Sequence, residues 1–235
     1  RLPPFYQQRA VEALKRVDVL AGVSQHLANI LSAHGAARRV HVCGNLVDET
    51  RFRLRDEPGE TFSVLHVSYP DPVKGTELLF EAASLLDPDE RAQFRFTIVS
   101  GSDRHQQIFR QMADARGVAA QFDIKACVAR DDMPAEYTRH ACYVSTSYSE
   151  TFGVAIREAQ QAGLPVVTTA CGGIDRDVDD SNGVVVPTGD ALALRDALRR
   201  VRNQRERYDP LQIRETCIAR HGRDAFLRKL ADLYH

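Results

Sequence analysis

The stretch Ser149-Glu150-Thr151-Phe152-Gly153-Val154-Ala155-Ile156-Arg157-Glu158-Ala159 decides how the rest of the chain is read. It sets two carboxylates eight positions apart around a glycine, where a loop passes into a helix. Upstream, Tyr143-Val144-Ser145-Thr146-Ser147 reads as a strand ending in small polar residues. Downstream, Val154 to Ala162 reads as a helix stopped by Gly163 and Pro165. Strand, loop and helix start is where open α/β sheets bind ligands, because the first helical N–H groups are unpaired and carry partial positive charge. Glu150 falls in that loop, and Glu158 on the first turns of the helix. A carboxylate only accepts hydrogen bonds, so each suits neighbouring hydroxyls on a sugar or a ribose. Amides for phosphate with carboxylates for diols point to a nucleotide-sugar site. The plainer alternative is a pair of solvated glutamates, which the helix dipole favours near an N-terminus by about 0.3–1 kcal/mol.

Outward from this window, apolar runs alternate with helical periodicity. Strands are expected at Thr61 to Ser68, Phe94 to Ser100, Phe122 to Val128, Ala141 to Thr146 and Gly183 to Pro187. Helices are expected at Gly75 to Leu86, Gln106 to Arg116, Met133 to His140, Ala191 to Arg202 and 210–234. This order predicts an α/β fold, a Rossmann-like parallel sheet with helices on both faces. Ahead of it, residues 7–16 read as helix and Val17 to Val23 as a buried strand. Ser24 reads as the N-cap of a helix to about His34, and Arg39 to Cys43 as a further strand. A charged segment at Arg55 to Glu60 reads as a linker. Three units are expected: 1–48, the closing strand–helix–strand of another α/β domain with its connection; 49–209, a Rossmann-like nucleotide-sugar domain; and 210–235, a helical end. The sequence starts at Arg1 inside a helical pattern, so it is expected to be part of a longer protein.

Composition narrows the function classes. The 235 residues carry a formal net charge of -1, which gives no reason to expect nucleic acid or an anionic membrane as the main partner. No apolar run approaches the roughly eighteen residues of a membrane span. The five cysteines include no Cys-x-x-Cys pair, which argues against zinc and disulfides and fits a reducing, cytoplasmic setting. The eight histidines show no metal-binding spacing, and no cofactor is expected.

Taken with Gly163-Leu164-Pro165-Val166-Val167-Thr168-Thr169 and Gly172-Gly173, the glutamate window resembles the E-x7-E signature of retaining glycosyltransferase family 4, whose members have the two-domain GT-B fold. The resemblance implies the C-terminal, nucleotide-sugar-binding half of such an enzyme. Val42-Cys43-Gly44-Asn45-Leu46-Val47-Asp48 resembles the family hinge, with Gly44 where a proline is usual. Lys74-Gly75 matches the family's Lys-Gly, which makes Lys74 the diphosphate ligand and, with Glu150, the catalytic pair. Donor binding would fall to Ser68, Gly75, Gly101, Val128, Thr151, Phe152, Gly153, Val154 and Glu158, the last on the ribose hydroxyls. Departures are also visible. Tyr69, Pro70 and Asp71 stand where members place an Arg, with Arg104 and Arg130 as substitutes from neighbouring loops. Ser100 and Ala126 replace turn glycines, and Asp175-Arg176 follow Gly172-Gly173 in place of Pro-Glu. The implied donor is a UDP- or GDP-sugar. The implied acceptor is a glycan, lipid or small molecule reached through an N-terminal domain, and contact with a membrane periphery is compatible with that. Two alternatives remain open: a non-catalytic GT-B-like scaffold, favoured by the missing Arg, and a sugar-nucleotide epimerase of the same fold. A glycosidase acid–nucleophile pair is disfavoured, because a helix start suits anion binding better than a raised carboxyl pKa.

Overall fold

The computed structural model describes residues 4–35, 40–57 and 59–234. Helix α1 (Pro4–Leu14), strand β1 (Leu20–Gly22), helix α2 (Gln25–Ala33) and strand β2 (Val40–Val42) come first, with β1 and β2 paired in parallel from Leu20 opposite Val40. Ser24 caps α2 as expected, its hydroxyl accepting from the Leu27 amide at 3.2 Å. The buried strand expected over Val17 to Val23 is shorter. Val17 and Val19 are 43% and 48% exposed and precede the strand, which begins at Leu20 where pairing with Val40 starts. Arg39, expected to open the next strand, lies outside the described residues.

The main body comprises β3 (Phe62–Val67), α3 (Thr76–Ser84), α4 (Pro88–Arg91), β4 (Phe94–Val99), α5 (Asp103–Ala115), β5 (Phe122–Lys125), α6 (Met133–Thr138), β6 (Cys142–Ser145), α7 (Val154–Gln161), β7 (Val166–Thr169), β8 (Gly183–Val186), α8 (Ala191–Asn203), α9 (Pro210–His221) and α10 (Arg223–Ala231). The six strands β3 to β8 form one all-parallel sheet in the order β5-β4-β3-β6-β7-β8. Side chains alternate between its faces. Val64, Cys142 and Val144 join Leu79, Phe109 and Leu194 of α3, α5 and α8, whereas Leu65, Tyr143 and Val166 join Tyr137, Ile156 and Ala159 of α6 and α7. Each large apolar side chain buried this way contributes about 1.5–3 kcal/mol. Both faces are therefore covered, as a near-continuous apolar strand pattern requires.

Several boundaries differ from the sequence reading for local reasons. Helix α5 begins three residues before Gln106, since Ser102 caps it by accepting from the His105 amide. Strand β5 stops at Lys125 rather than Val128. It pairs only with β4, whose last residue, Val99, faces Lys125, so β4 offers no partner to the residues beyond. The terminal helical stretch breaks at Gly222, where an added Cβ would sit 2.7 Å from the Ile218 carbonyl oxygen. The expected linker is tied down. The Arg55 amide donates to the Ala162 carbonyl at 2.7 Å and the Asp56 amide to the Thr138 carbonyl at 2.8 Å, while Pro58 lies outside the described residues. Among the described residues, no helix is long and apolar enough to cross a membrane.

Candidate functional site

The strand order reverses between β3 and β6, and in open parallel sheets the crevice beyond such a reversal is where ligands sit. Two loops meet there. After β3, Asp71 caps a short 3-10 turn at Pro72–Lys74 by accepting from the Val73 amide at 2.8 Å, and Gly75 turns the chain into α3 with φ +56°. A Cβ on Gly75 would lie 2.5 Å from the Thr146 carbonyl oxygen, so only glycine lets this loop approach the end of β6. The contact is fixed from the other side as well: the Thr146 hydroxyl donates to the Lys74 carbonyl at 3.0 Å, and the Tyr148 amide to the Val73 carbonyl at 2.8 Å.

That arrangement brings Lys74 to Glu150. Lys74 Nζ lies 2.7 Å from Glu150 Oε1, which also accepts from the Ser147 hydroxyl at 2.9 Å. The pair is largely but not fully buried, at 23% and 17% side-chain exposure, so its charges remain open to a ligand. The Glu150 loop is itself anchored, its amide donating to the Cys171 carbonyl at 2.9 Å beside a bridge to Gly172. Gly173 allows that contact, because a Cβ there would meet the Glu150 and Thr151 carbonyl oxygens at 2.5 Å.

Gly153 then starts α7 in the left-handed region, with φ +70°. A cavity of about 260 Å³ opens at this end of α7, lined among others by Ser68, Lys74, Glu150 and residues 151–156. A second, of about 540 Å³, adjoins it through the shared wall of Val67, Ser68 and Lys74 and holds Gly101, Val128 and Glu158. Of the expected site residues, all but Gly75 line one of these cavities; Gly75 shapes the loop behind them. Phe152 is buried and carries the ring against which the Arg157 guanidinium lies, 5.4 Å from the centroid.

Residues the sequence left unremarked complete the walls. Buried His66 bridges the Val144 carbonyl (Nδ1, 2.9 Å) and the Thr76 hydroxyl (Nε2, 3.1 Å), and Thr76 meets the Ser68 hydroxyl at 2.9 Å. Burial, opposed by the Val144 bond and aided by Lys74, pushes the His66 pKa down to about 4, so the ring is neutral at pH 7. Tyr137 donates to Glu158 Oε2 at 2.8 Å. Burial raises the Glu158 pKa, with Tyr137, Arg51 and Arg130 pulling it part of the way back. Arg51 reaches this cavity from the hinge and bonds the Arg130 carbonyl at 2.8 Å. Of the two cations expected to replace the missing Arg, Arg130 lines the cavity and Arg104 does not. Tyr69, in the missing residue's place, lies under Lys74 Nζ, 5.6 Å from its ring centroid. Asp71 serves the cap described above. Among the described residues, no three His, Cys, Asp or Glu side chains gather as a metal site.

Chemically, the two cavities offer free amides and a cation for an anion, and a carboxylate beyond them for hydroxyls. Residues 22–215 match the family described as Glycosyl transferases group 1. The chain is 31% identical over 196 residues to a D-inositol 3-phosphate glycosyltransferase of Salinispora tropica, covering 79% of this chain and 39% of that protein. It is 27% identical to the Thermomonospora curvata protein of the same name, over 96% of this chain and 60% of that one. It thus spans less than two thirds of either relative. Among solved structures, a sucrose-phosphate synthase from Thermosynechococcus elongatus superposes on the whole chain with a TM-score of 0.88 at 21% identity, covering 62% of its own length. HepE of Anabaena in complex with UDP and glucose does so over 98% of this chain and 67% of its own, with a TM-score of 0.85 at 20% identity. Those likenesses establish the shared GT-B type of α/β fold. By the match over residues 22–215, the chain belongs to the glycosyl transferases group 1 family.

Proposed function

We propose that this chain is the donor-binding half of a retaining glycosyltransferase of family 4, standing C-terminal in a GT-B pair and working in the cytoplasm on a UDP- or GDP-sugar. The observation that carries this reading is the Lys74–Glu150 pair, 2.7 Å apart across the sheet's reversal point and beside the open amino end of α7. In this reading the diphosphate lies against the amides at Gly153 and Val154 with Lys74 alongside. The transferred sugar meets Glu150, and the ribose meets Glu158 in the adjoining cavity. The bond between the sugar's anomeric carbon and the phosphate oxygen breaks, and the diphosphate leaves with the electron pair. An acceptor hydroxyl passes its proton to the departing phosphate oxygen and bonds to that carbon on the same face. Charge developing on the leaving oxygen is met by Lys74 and the helix amides, contacts worth several kcal/mol in a dry site. No metal or cofactor has a role in this scheme. The acceptor, a glycan, lipid or small molecule, is bound through a further domain, so the chain alone binds donor and transfers poorly.

Calorimetric titration with UDP, GDP and ADP tests the reading. A single nucleotide should bind, with binding lost in Glu158→Ala and weakened in Lys74→Ala. Silence towards all three would favour the scaffold alternative. Interconversion of a free nucleotide sugar without acceptor would favour the epimerase.

A further inference from the structure

Glu158 has an anchored oxygen and a free one. Oε2 accepts from the Tyr137 hydroxyl at 2.8 Å, while Oε1 has no hydrogen bond among the described residues and the side chain lines the 540 Å³ cavity. Tyr137 is fully buried on α6, its ring wedged against Phe52 at 6.0 Å and Tyr143 at 6.1 Å. Burial, then the nearby Glu158 charge, raises the phenol's pKa well above its usual value, so it stays an O–H donor. Two guanidiniums, Arg51 and Arg130, line the same cavity, and neither forms an ion pair with Glu158 among the described residues. A carboxylate on a free three-torsion stem would swing toward either of them and use up its accepting oxygen.

We propose that Tyr137 is a positioning residue: its hydroxyl holds Glu158 off the two arginines and turns the free oxygen, Oε1, toward the vicinal hydroxyls of a bound ribose. This rests on the donor-site reading above. A hydrogen bond from a hydroxyl to a pre-set carboxylate is worth about tenfold in affinity or more. An unset carboxylate must give up part of that in ordering its own torsions.

The test compares UDP with 2′,3′-dideoxy-UDP by calorimetry on the whole chain. Wild type should bind UDP at least about tenfold more tightly than the dideoxy analogue. Tyr137→Phe, which keeps the ring, should weaken UDP and leave the dideoxy analogue unchanged, so that the ratio between them collapses. Glu158→Gln is the second variant. The neutral amide loses the charge that strengthens its bonds to the ribose hydroxyls, so the ratio should fall there too, with the fold intact. An unchanged ratio in either variant overturns the proposal, and so does Tyr137→Phe weakening both ligands equally, which is the mark of a merely structural role. If GDP rather than UDP binds, the same comparison is made with GDP and its 2′,3′-dideoxy analogue; failure of wild type to bind either would instead sink the donor-site reading itself.

Discussion

Substituting Gly153 by alanine probes the geometry that points the amino end of α7 into the cleft. Two costs are expected. The first is conformational: φ is +70°, and a residue with a Cβ is disfavoured there by about 1–2 kcal/mol. The second is steric, since the new Cβ would overlap Ile174 Cδ1 and lie 2.8 Å from Ile174 Cγ1. Ile174 is 1% exposed within the α7 core and cannot swing away freely, so overpacking adds about 1–3 kcal/mol. Lower unfolded-state entropy returns about 0.4–1 kcal/mol, leaving a net loss of about 1–4.6 kcal/mol. The two costs separate in a cycle with Ile174→Val, which removes the overlapping Cδ1 and by itself costs about 0.5–1.5 kcal/mol. In that background Gly153→Ala should cost less by about 1 kcal/mol or more, with the torsional share and the approach to the remaining γ-carbon left intact. Urea unfolding of the four proteins, read as midpoint shifts at constant slope, gives the coupling directly. Strict additivity would refute the reasoning, because it would mean that Ile174 does not enforce the glycine.

His66 is neutral and buried, with a pKa of about 4 against 6.5 when exposed, so the unfolded chain binds the extra proton between those values. The stability this neutral ring supports is present above pH 6.5 and falls away as pH drops toward 4, by about 3 kcal/mol in all. His66→Asn, which keeps a donor and an acceptor, should therefore close on wild type by up to about that amount between pH 7 and pH 4. A difference constant across the range would contradict the assignment. Arg157, 1% exposed, pairs with Asp177 at 2.5 Å beneath α7 and faces the Phe152 ring. Replacing it by Met removes the buried partner of Asp177, which is 28% exposed and keeps Arg220 and His221 at 3.6 Å, and should cost about 1–3 kcal/mol in thermal or urea unfolding. A loss under about 1 kcal/mol would show the pair to be dispensable.

The fold's outline was legible because each strand and helix carries its own period, and because Gly75, Gly153 and Gly172-Gly173 mark turns that only glycine can make. The Lys74–Glu150 meeting could be expected only through family resemblance, since 76 positions separate the two and a sheet of the right order is needed to join them. What stayed hidden depends on packing. His66 finds partners 10 and 78 positions away, and only its place inside the apolar run Phe62-Ser63-Val64-Leu65-His66-Val67 hinted at a buried polar group. Arg51 enters the cavity by turning back from the hinge toward residue 130, which no local pattern records. Strand ends were over-read wherever the partner strand stopped first, as at Lys125.

The central claim is that a diphosphate rests at the amino end of α7 with Lys74 beside it. A crystal structure of the chain with UDP bound tests this most directly. The account predicts phosphate oxygens within hydrogen-bonding distance of the Gly153 or Val154 amide and of Lys74 Nζ, with the ribose hydroxyls at Glu158. UDP bound elsewhere, with Lys74 and Glu150 still closed on each other at 2.7 Å, would contradict it.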